Sequence, residues 1–283
     1  MPVSPDTIRS CFQRACLLEL HALKPGNVGI HGDGHGMQLA QFVVSANAAS
    51  YALIKPANGV GQRVLHAVQA THGAVGDNTN LGILLLAAPI VQALMAGSEL
   101  EQLPQAVKKV LDGLSIDDAD YAYQAIQLAN PGGMGEVAEH DVQSKPEITL
   151  LEAMQLSAEH DQIGFQYAHG FERLFNENVA CYQHYLALWA SMEWAASAVF
   201  MKQLRDQADS LILRKKGLLK AQEISAMIAP LADDLLASSD PNVYRSRLLS
   251  LDGHLKNIDI NPGTTADLTV ATLFLALLQS ASE

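Results

Sequence analysis

Four polar stretches, each marked by glycine, interrupt an otherwise aliphatic helical sequence and hold many of its residues suited to chemistry. The first is Lys24-Pro25-Gly26-Asn27-Val28, followed closely by His31-Gly32-Asp33-Gly34-His35. The second is Gly76-Asp77-Asn78-Thr79-Asn80-Leu81-Gly82, and the third is Asp209-Ser210-Leu211-Ile212-Leu213-Arg214, extended by Lys215 to Gly217. The fourth is Asn261-Pro262-Gly263-Thr264-Thr265-Ala266-Asp267-Leu268. In the second and fourth, Gly, Asn and Thr stand immediately before an apolar helical run. First-turn N–H groups of a helix lack intrahelical partners and share the positive end of its dipole. A phosphate docks on such an end without any basic side chain. Each of these two segments also carries an aspartate, Asp77 or Asp267. Either carboxylate could hold a magnesium ion that bridges phosphate oxygens or act as a general base toward a sugar hydroxyl.

Plainer roles compete for the same residues. Thr264 and Asp267 have the spacing of a capping box, and Asn78 is a good N-cap residue, so spacing alone favours capping for each. Capping does not require both Thr264 and Thr265, nor an asparagine on each side of Thr79. The His31–His35 stretch is expected to be a mobile loop with solvated imidazoles, because no third strong metal ligand is evident; His35 alone is a candidate for substrate binding. Lys24 is balanced between a phosphate contact and a residue complementing the dipole of a preceding helix. Arg214-Lys215-Lys216 and the acidic Asp117, Asp118 and Asp120 have the character of solvated faces, and Glu193 and Trp194 that of bundle packing.

The elements that must position these residues are helices. Apolar residues recur at helical spacing along the chain, and strand alternation is almost absent. A first helix is expected from Ser4-Pro5 to about His21, with proline at the favoured first position, then helices over Met37 to Ile54, Val60 to Thr71 and Leu81 to Met95. Ser115-Ile116-Asp117-Asp118 forms a capping box opening the next helix. Helices continue from Leu150 to Gln207, from Ala221 to Ala237 and from Thr265 to Gln279. Asn130 to Pro146 lacks periodicity and is expected to be an active-site loop. The fold class is therefore all-α: a single large multi-helix domain over residues 1–283, with Gly-rich loops at helix N-termini forming the site.

Composition limits the functions open to such a domain. With 283 residues, 49% of them hydrophobic and 17% charged, the chain can bury a large core and is unlike a disordered segment. A formal net charge of −12 argues against binding DNA or RNA over a broad surface. The three cysteines form no CxxC pair, and Cys11 and Cys16 fall in an apolar helical pattern as small core residues. The N-terminus has no signal-peptide character, and the apolar run from Leu81 to Gly97 is too short to span a bilayer comfortably. A cytoplasmic enzyme is the expectation, and homodimerisation through an apolar helix is compatible with it.

Taken in order, the four segments resemble the triphosphoribosyl-dephospho-CoA synthase family over about residues 19 to 275. Members carry a Lys-Pro-Gly-type motif, an element with Gly and His, a Gly-x-Asn-Thr-His-Lys-Gly loop, an Asp-[Ser/Thr] segment leading to Arg, and a terminal Pro-Gly-Gly-[Ser/Thr]-Ala-Asp-Leu. The resemblance implies an all-helical, magnesium-dependent transferase that moves a triphosphoribosyl group from ATP to a ribose hydroxyl of dephospho-CoA and releases adenine. It implies substrate contacts from Lys24, Gly26, Asn27, His35, Asn78, Thr79, Asn80, Gly82, Arg214, Gly263, Thr264 and Thr265. By analogy with other glycosyl chemistry, Asp77, Asp209 and Asp267 are the catalytic carboxylates, with Asp77 and Asp267 as metal ligands. Two departures stand out: Asn80-Leu81 replaces the His-Lys pair, and Gly263-Thr264 replaces the Gly-Gly pair. They move the expected acceptor from dephospho-CoA toward another cofactor precursor, such as a tetrahydromethanopterin-type one. A catalytically idle nucleotide- or cofactor-binding protein is the alternative, and a helical scaffold whose segments are only caps is a third.

Overall fold

From Thr264 to Leu278, every residue of the C-terminal helix except Asp267 is buried. A helix that is apolar on all sides belongs at the centre of a bundle, and this one, α14 (Gly263–Ser280), packs most extensively against four others. They are α1 (Pro5–His21), α4 (Leu81–Met95), α9 (Val179–Trp189) and α10 (Met192–Asp206). The computed structural model describes residues 2–131 and 142–281. The remaining helices are α2 (Leu39–Leu53), α3 (Val60–Val75), α5 (Leu103–Asp112), α6 (Ile116–Ala129) and α7 (Leu150–Ser157), then α8 (Gln162–Ala168), α11 (Ser210–Lys216), α12 (Leu218–Leu236) and α13 (Arg245–Asn257). Among the described residues β pairing is confined to two isolated bridges, Gly29 with Gly32 and Gly34 with Met37.

The apolar interior forms two clusters. The larger takes α1, α3, α4 and α14 from Leu268 onward. The smaller takes Leu23, residues of α10 to α13, Ile260 and Ala266. Asp267 thus stands at the seam, between Ala266 of one cluster and Leu268 of the other. On α1 the buried residues Ile8, Cys11, Phe12, Ala15 and Cys16 follow three- and four-residue spacing, the stripe expected of a helix with one packed face. Phe12 meets Phe274 edge-on, with ring centroids 5.8 Å apart.

Helix α4 carries Pro89 in its interior, and proline has no N–H to give the carbonyl four residues back. That carbonyl, of Leu85, accepts instead from the hydroxyl of the buried Tyr167, at 2.7 Å. A helix that its own sequence would weaken is completed from α8.

The helices expected at both ends of the chain and over Leu81–Met95 are present, and α3 runs four residues beyond Thr71. Ser115 and Asp118 form the expected reciprocal cap of α6. Cys11 and Cys16 are buried and unpaired. Three helices not foreseen, α5, α11 and α13, lie where apolar spacing is short or broken. Of the stretch expected to be an active-site loop, residues 132–141 lie outside the described residues. Among the described residues no helix is long and apolar enough to cross a membrane.

Candidate functional site

The four segments converge on the first turn of α14. Asp209, the N-cap of α11, is fully buried and accepts through Oδ1 from the backbone N–H groups of Leu211 (2.8 Å) and Ile212 (3.0 Å). Its Oδ2 accepts from the backbone N–H (2.7 Å) and the hydroxyl (2.8 Å) of Thr265. One carboxylate therefore caps two helices. Burial pushes this carboxyl up, and the hydrogen bonds from Thr265, Ile212 and Leu211 pull it back. The capping box expected from Thr264 and Asp267 does not form, because α14 begins at Gly263 with no side-chain cap of its own. Asp209 supplies the cap from another segment, and Asp267 is left without a hydrogen-bond or ion-pair partner among the described residues.

Asp267 lies against the first turn of α4. A Cβ built on Gly82 would sit 2.1 Å from its Oδ2 and 2.9 Å from Cδ1 of Ile163, so the approach needs glycine. Burial, and then the charges of Asp209 and Glu19, push the Asp267 carboxyl well above the usual carboxylate range, with Arg214 offsetting part of the rise. A carboxylate that is crowded by like charges and unpartnered has the character of a proton acceptor or a cation ligand. The N–H groups of Gly82, Ile83 and Thr264 also have no partner among the described residues. These two helix N-termini therefore turn free donors toward the same region.

The first segment is tied to the fourth through asparagine. The side-chain amide of Asn27 donates to Oδ1 of Asn261 at 2.9 Å, and the Gly26 N–H donates to Asp252 at 2.8 Å. Gly26 has a φ of +85°, and a Cβ there would meet the Ile260 carbonyl at 2.9 Å, so only glycine fits. Lys24 differs from both roles open to it in sequence. It is buried, and its ammonium donates to Glu19, to Asn27 Oδ1 (2.7 Å) and to the Val28 carbonyl (2.9 Å). Burial pushes Lys24 down and Glu19 up, and their attraction offsets part of each shift. With three donors engaged, Lys24 holds the loop rather than presenting a free charge.

His35 is not solvated as expected. Its side chain is 8% exposed, Nε2 donates to the Gly26 carbonyl at 2.8 Å, and Nδ1 lies 3.4 Å from Asp259. Among the described residues no group of three His, Cys, Asp or Glu side chains could hold a metal ion.

In the second segment Asp77 is exposed and accepts from the adjacent Asn78 N–H. The N-cap of α4 is Asn80, whose side chain makes no cap bond, and Asn78, expected to cap, accepts from the Leu81 N–H at 3.2 Å from two residues upstream. Thr79 donates to Ser45 at 2.6 Å, Asn80 donates to Thr71 at 3.0 Å, and Leu81 is a core residue. The two residues that stand in place of the His-Lys pair thus face the interior. Arg214 is not a purely solvated side chain either, for it pairs with Asp161 at 2.7 Å. Asp161 also caps α8 through Ile163 and Gly164. Glu19, Asp161 and Asp252 were not singled out in the sequence, whereas Asn261 opens the fourth segment. A cap residue before a short helix was the only available sign for Asp161, and Glu19 and Asp252, isolated polar residues on helices, gave none.

The family model for ATP:dephospho-CoA triphosphoribosyl transferase, CitG, matches residues 5–283. A solved structure from Archaeoglobus fulgidus, given as a candidate triphosphoribosyl-dephospho-CoA synthase, is similar to this chain with a TM-score of 0.64. The two are 25% identical, and the match covers 83% of this chain and 97% of that one. No curated protein matches at significant similarity.

Proposed function

This chain belongs to the ATP:dephospho-CoA triphosphoribosyl transferase family, and from that premise we propose that it joins the triphosphoribosyl group of ATP to a ribose hydroxyl of dephospho-CoA or a close analogue. The main support is the unpartnered Asp267 carboxylate held between two helix N-termini with free N–H groups. A tetrahydromethanopterin-type acceptor finds no support in the comparisons.

In the proposed reaction the acceptor hydroxyl oxygen bonds to C1′ of the ATP ribose, the bond from C1′ to the adenine nitrogen breaks, and adenine leaves with the bonding electrons. Asp267 takes the hydroxyl proton, and the adenine nitrogen gains one from solvent. Charge builds on the ring as that bond loosens, and a nearby carboxylate stabilises it. The free N–H groups of Gly82, Ile83 and Thr264 bind triphosphate oxygens. Asp209 positions Thr265, and through it the whole turn that carries Asp267. Arg214 limits the negative charge around the site.

A magnesium ion fits this arrangement as a phosphate-borne cation. It commonly takes one or two carboxylates and leaves its other positions to phosphate and water; Asp77 on the exposed loop would offer such a carboxylate, leaving Asp267 to take the proton. The ion would supply neutralisation of phosphate charge.

Purified protein incubated with ATP, magnesium and dephospho-CoA should release one adenine per acceptor consumed and yield an acceptor heavier by the triphosphoribosyl group. Nucleotide binding without any adenine release would remove the transferase reading.

A further inference from the structure

Lys24, Asn27 and Asn261 form a chain of hydrogen bonds whose direction is fixed at its buried end. The Lys24 ammonium is out of contact with solvent and meets three acceptors: the Glu19 carboxylate, Asn27 Oδ1 and the Val28 carbonyl. An ammonium has three N–H donors and accepts nothing, so Asn27 can face it only with its oxygen. The Asn27 Nδ2 is thereby turned away from Lys24, and it donates to Asn261 Oδ1 at 2.9 Å. Asn261 then has its oxygen engaged, and Nδ2 is the group it presents onward. Reversing either amide would set two nitrogens or two oxygens against each other.

The Asn261 amide lies at the opening turn of α14. The Asn261 carbonyl accepts from the Gly263 N–H at 2.9 Å, and a Cβ built on Gly263 would sit 3.8 Å from Asn261 Nδ2. That Nδ2 has no partner among the described residues, and Asn261 is only partly buried. The next residue of the helix, Thr264, carries one of the free N–H groups of the site. Two donors without partners, one of them locked in orientation, suit a ligand that bears several acceptor oxygens.

Resting on the transferase reading, we propose that Asn261 binds a triphosphate oxygen of the nucleotide through Nδ2, with Asn27 as the positioning residue that keeps this N–H turned to the ligand. Lys24 serves phosphate binding from its buried place by fixing the direction of the chain, without presenting its charge.

Calorimetric titration of the full chain with ATP and magnesium tests this. Asn261→Ala should weaken ATP by about tenfold or more, the effect of losing a hydrogen bond to a charged group. Asn261→Asp keeps an oxygen for the Asn27 amide and so keeps the one side-chain bond that a purely structural Asn261 makes, yet it should weaken ATP at least as much. It decides the matter if Asn261→Ala fails to fold. Asn27→Ala should also weaken ATP, but should add nothing once Asn261 is replaced by Ala, because it acts through that residue. Wild-type affinity in a folded form of either Asn261 variant, or additive losses from Asn27→Ala and Asn261→Ala, overturns this proposal and leaves the transferase reading standing. A wild-type chain that does not bind ATP overturns both.

Discussion

Asp267 and Gly82 lie 185 positions apart in sequence, yet a single Cβ on Gly82 would sit 2.1 Å from the Asp267 carboxylate. Alanine is the better helix former, by about 1 kcal/mol, so Gly82→Ala should leave thermal stability nearly unchanged or slightly raised. The carboxylate must swing away, and kcat for adenine release should fall by at least about tenfold, since a positioned general base is worth ~10²-fold or more. Wild-type turnover in a folded Gly82→Ala protein would show that Asp267 does not act from this position.

Asp209 is expected to behave as a structural carboxylate. It satisfies four donors, two of them on Thr265 in another helix. Asp209→Ala leaves those donors without their charged acceptor in a buried place, which should cost about 3 kcal/mol or more in urea denaturation. A loss below about 1 kcal/mol would mean that α14 does not depend on this cap.

Asp267 has the opposite relation to stability. Its carboxyl is raised by burial and by the charges of Asp209 and Glu19. Below the unfolded carboxylate value of about 4, both states hold the proton and there is no penalty. As pH rises from there, the unfolded state releases its proton while the folded state resists, so wild-type stability falls until the raised value is passed. The stability advantage of Asp267→Asn over wild type should therefore grow from about pH 4 upward and then level off. A difference that does not change with pH, or that shrinks as pH rises, would refute the shift.

The hydroxyl of Tyr167 completes α4 at Pro89. Tyr167→Phe keeps the ring and leaves the Leu85 carbonyl buried without a donor, at a cost of about 1–3 kcal/mol. Equal unfolding midpoints for the two proteins would show that the carbonyl finds another donor.

Much of this architecture was legible in the residues. The apolar runs of α1, α4 and α14 follow helical spacing over four or more turns, and such patterns carry their own assignment. The two helix N-termini were legible as candidate phosphate sites because Gly, Asn and Thr mark them, and the structure shows N–H groups of both without partners among the described residues. What spacing could not reveal is which side chain caps which helix. Thr264 and Asp267 have the separation of a local cap, but Asp209, 56 residues away, takes the Thr265 N–H and frees Asp267. Lys24 reads in sequence as a phosphate contact or a partner of the helix dipole, and His35 as an imidazole facing substrate or solvent, whereas burial turns both inward to pin the Gly26 loop. Long-range polar pairing of this kind depends on tertiary contact and leaves no periodic trace.

The most direct measurement is single-turnover adenine release from ATP with dephospho-CoA and magnesium, comparing wild type with Asp267→Asn at equal nucleotide occupancy. The expected result is a loss of at least about 100-fold in the Asn variant, with ATP still bound and the fold at least as stable at neutral pH. Release at the wild-type rate from a folded Asp267→Asn protein would contradict the assignment of Asp267 as the group that accepts the acceptor's proton.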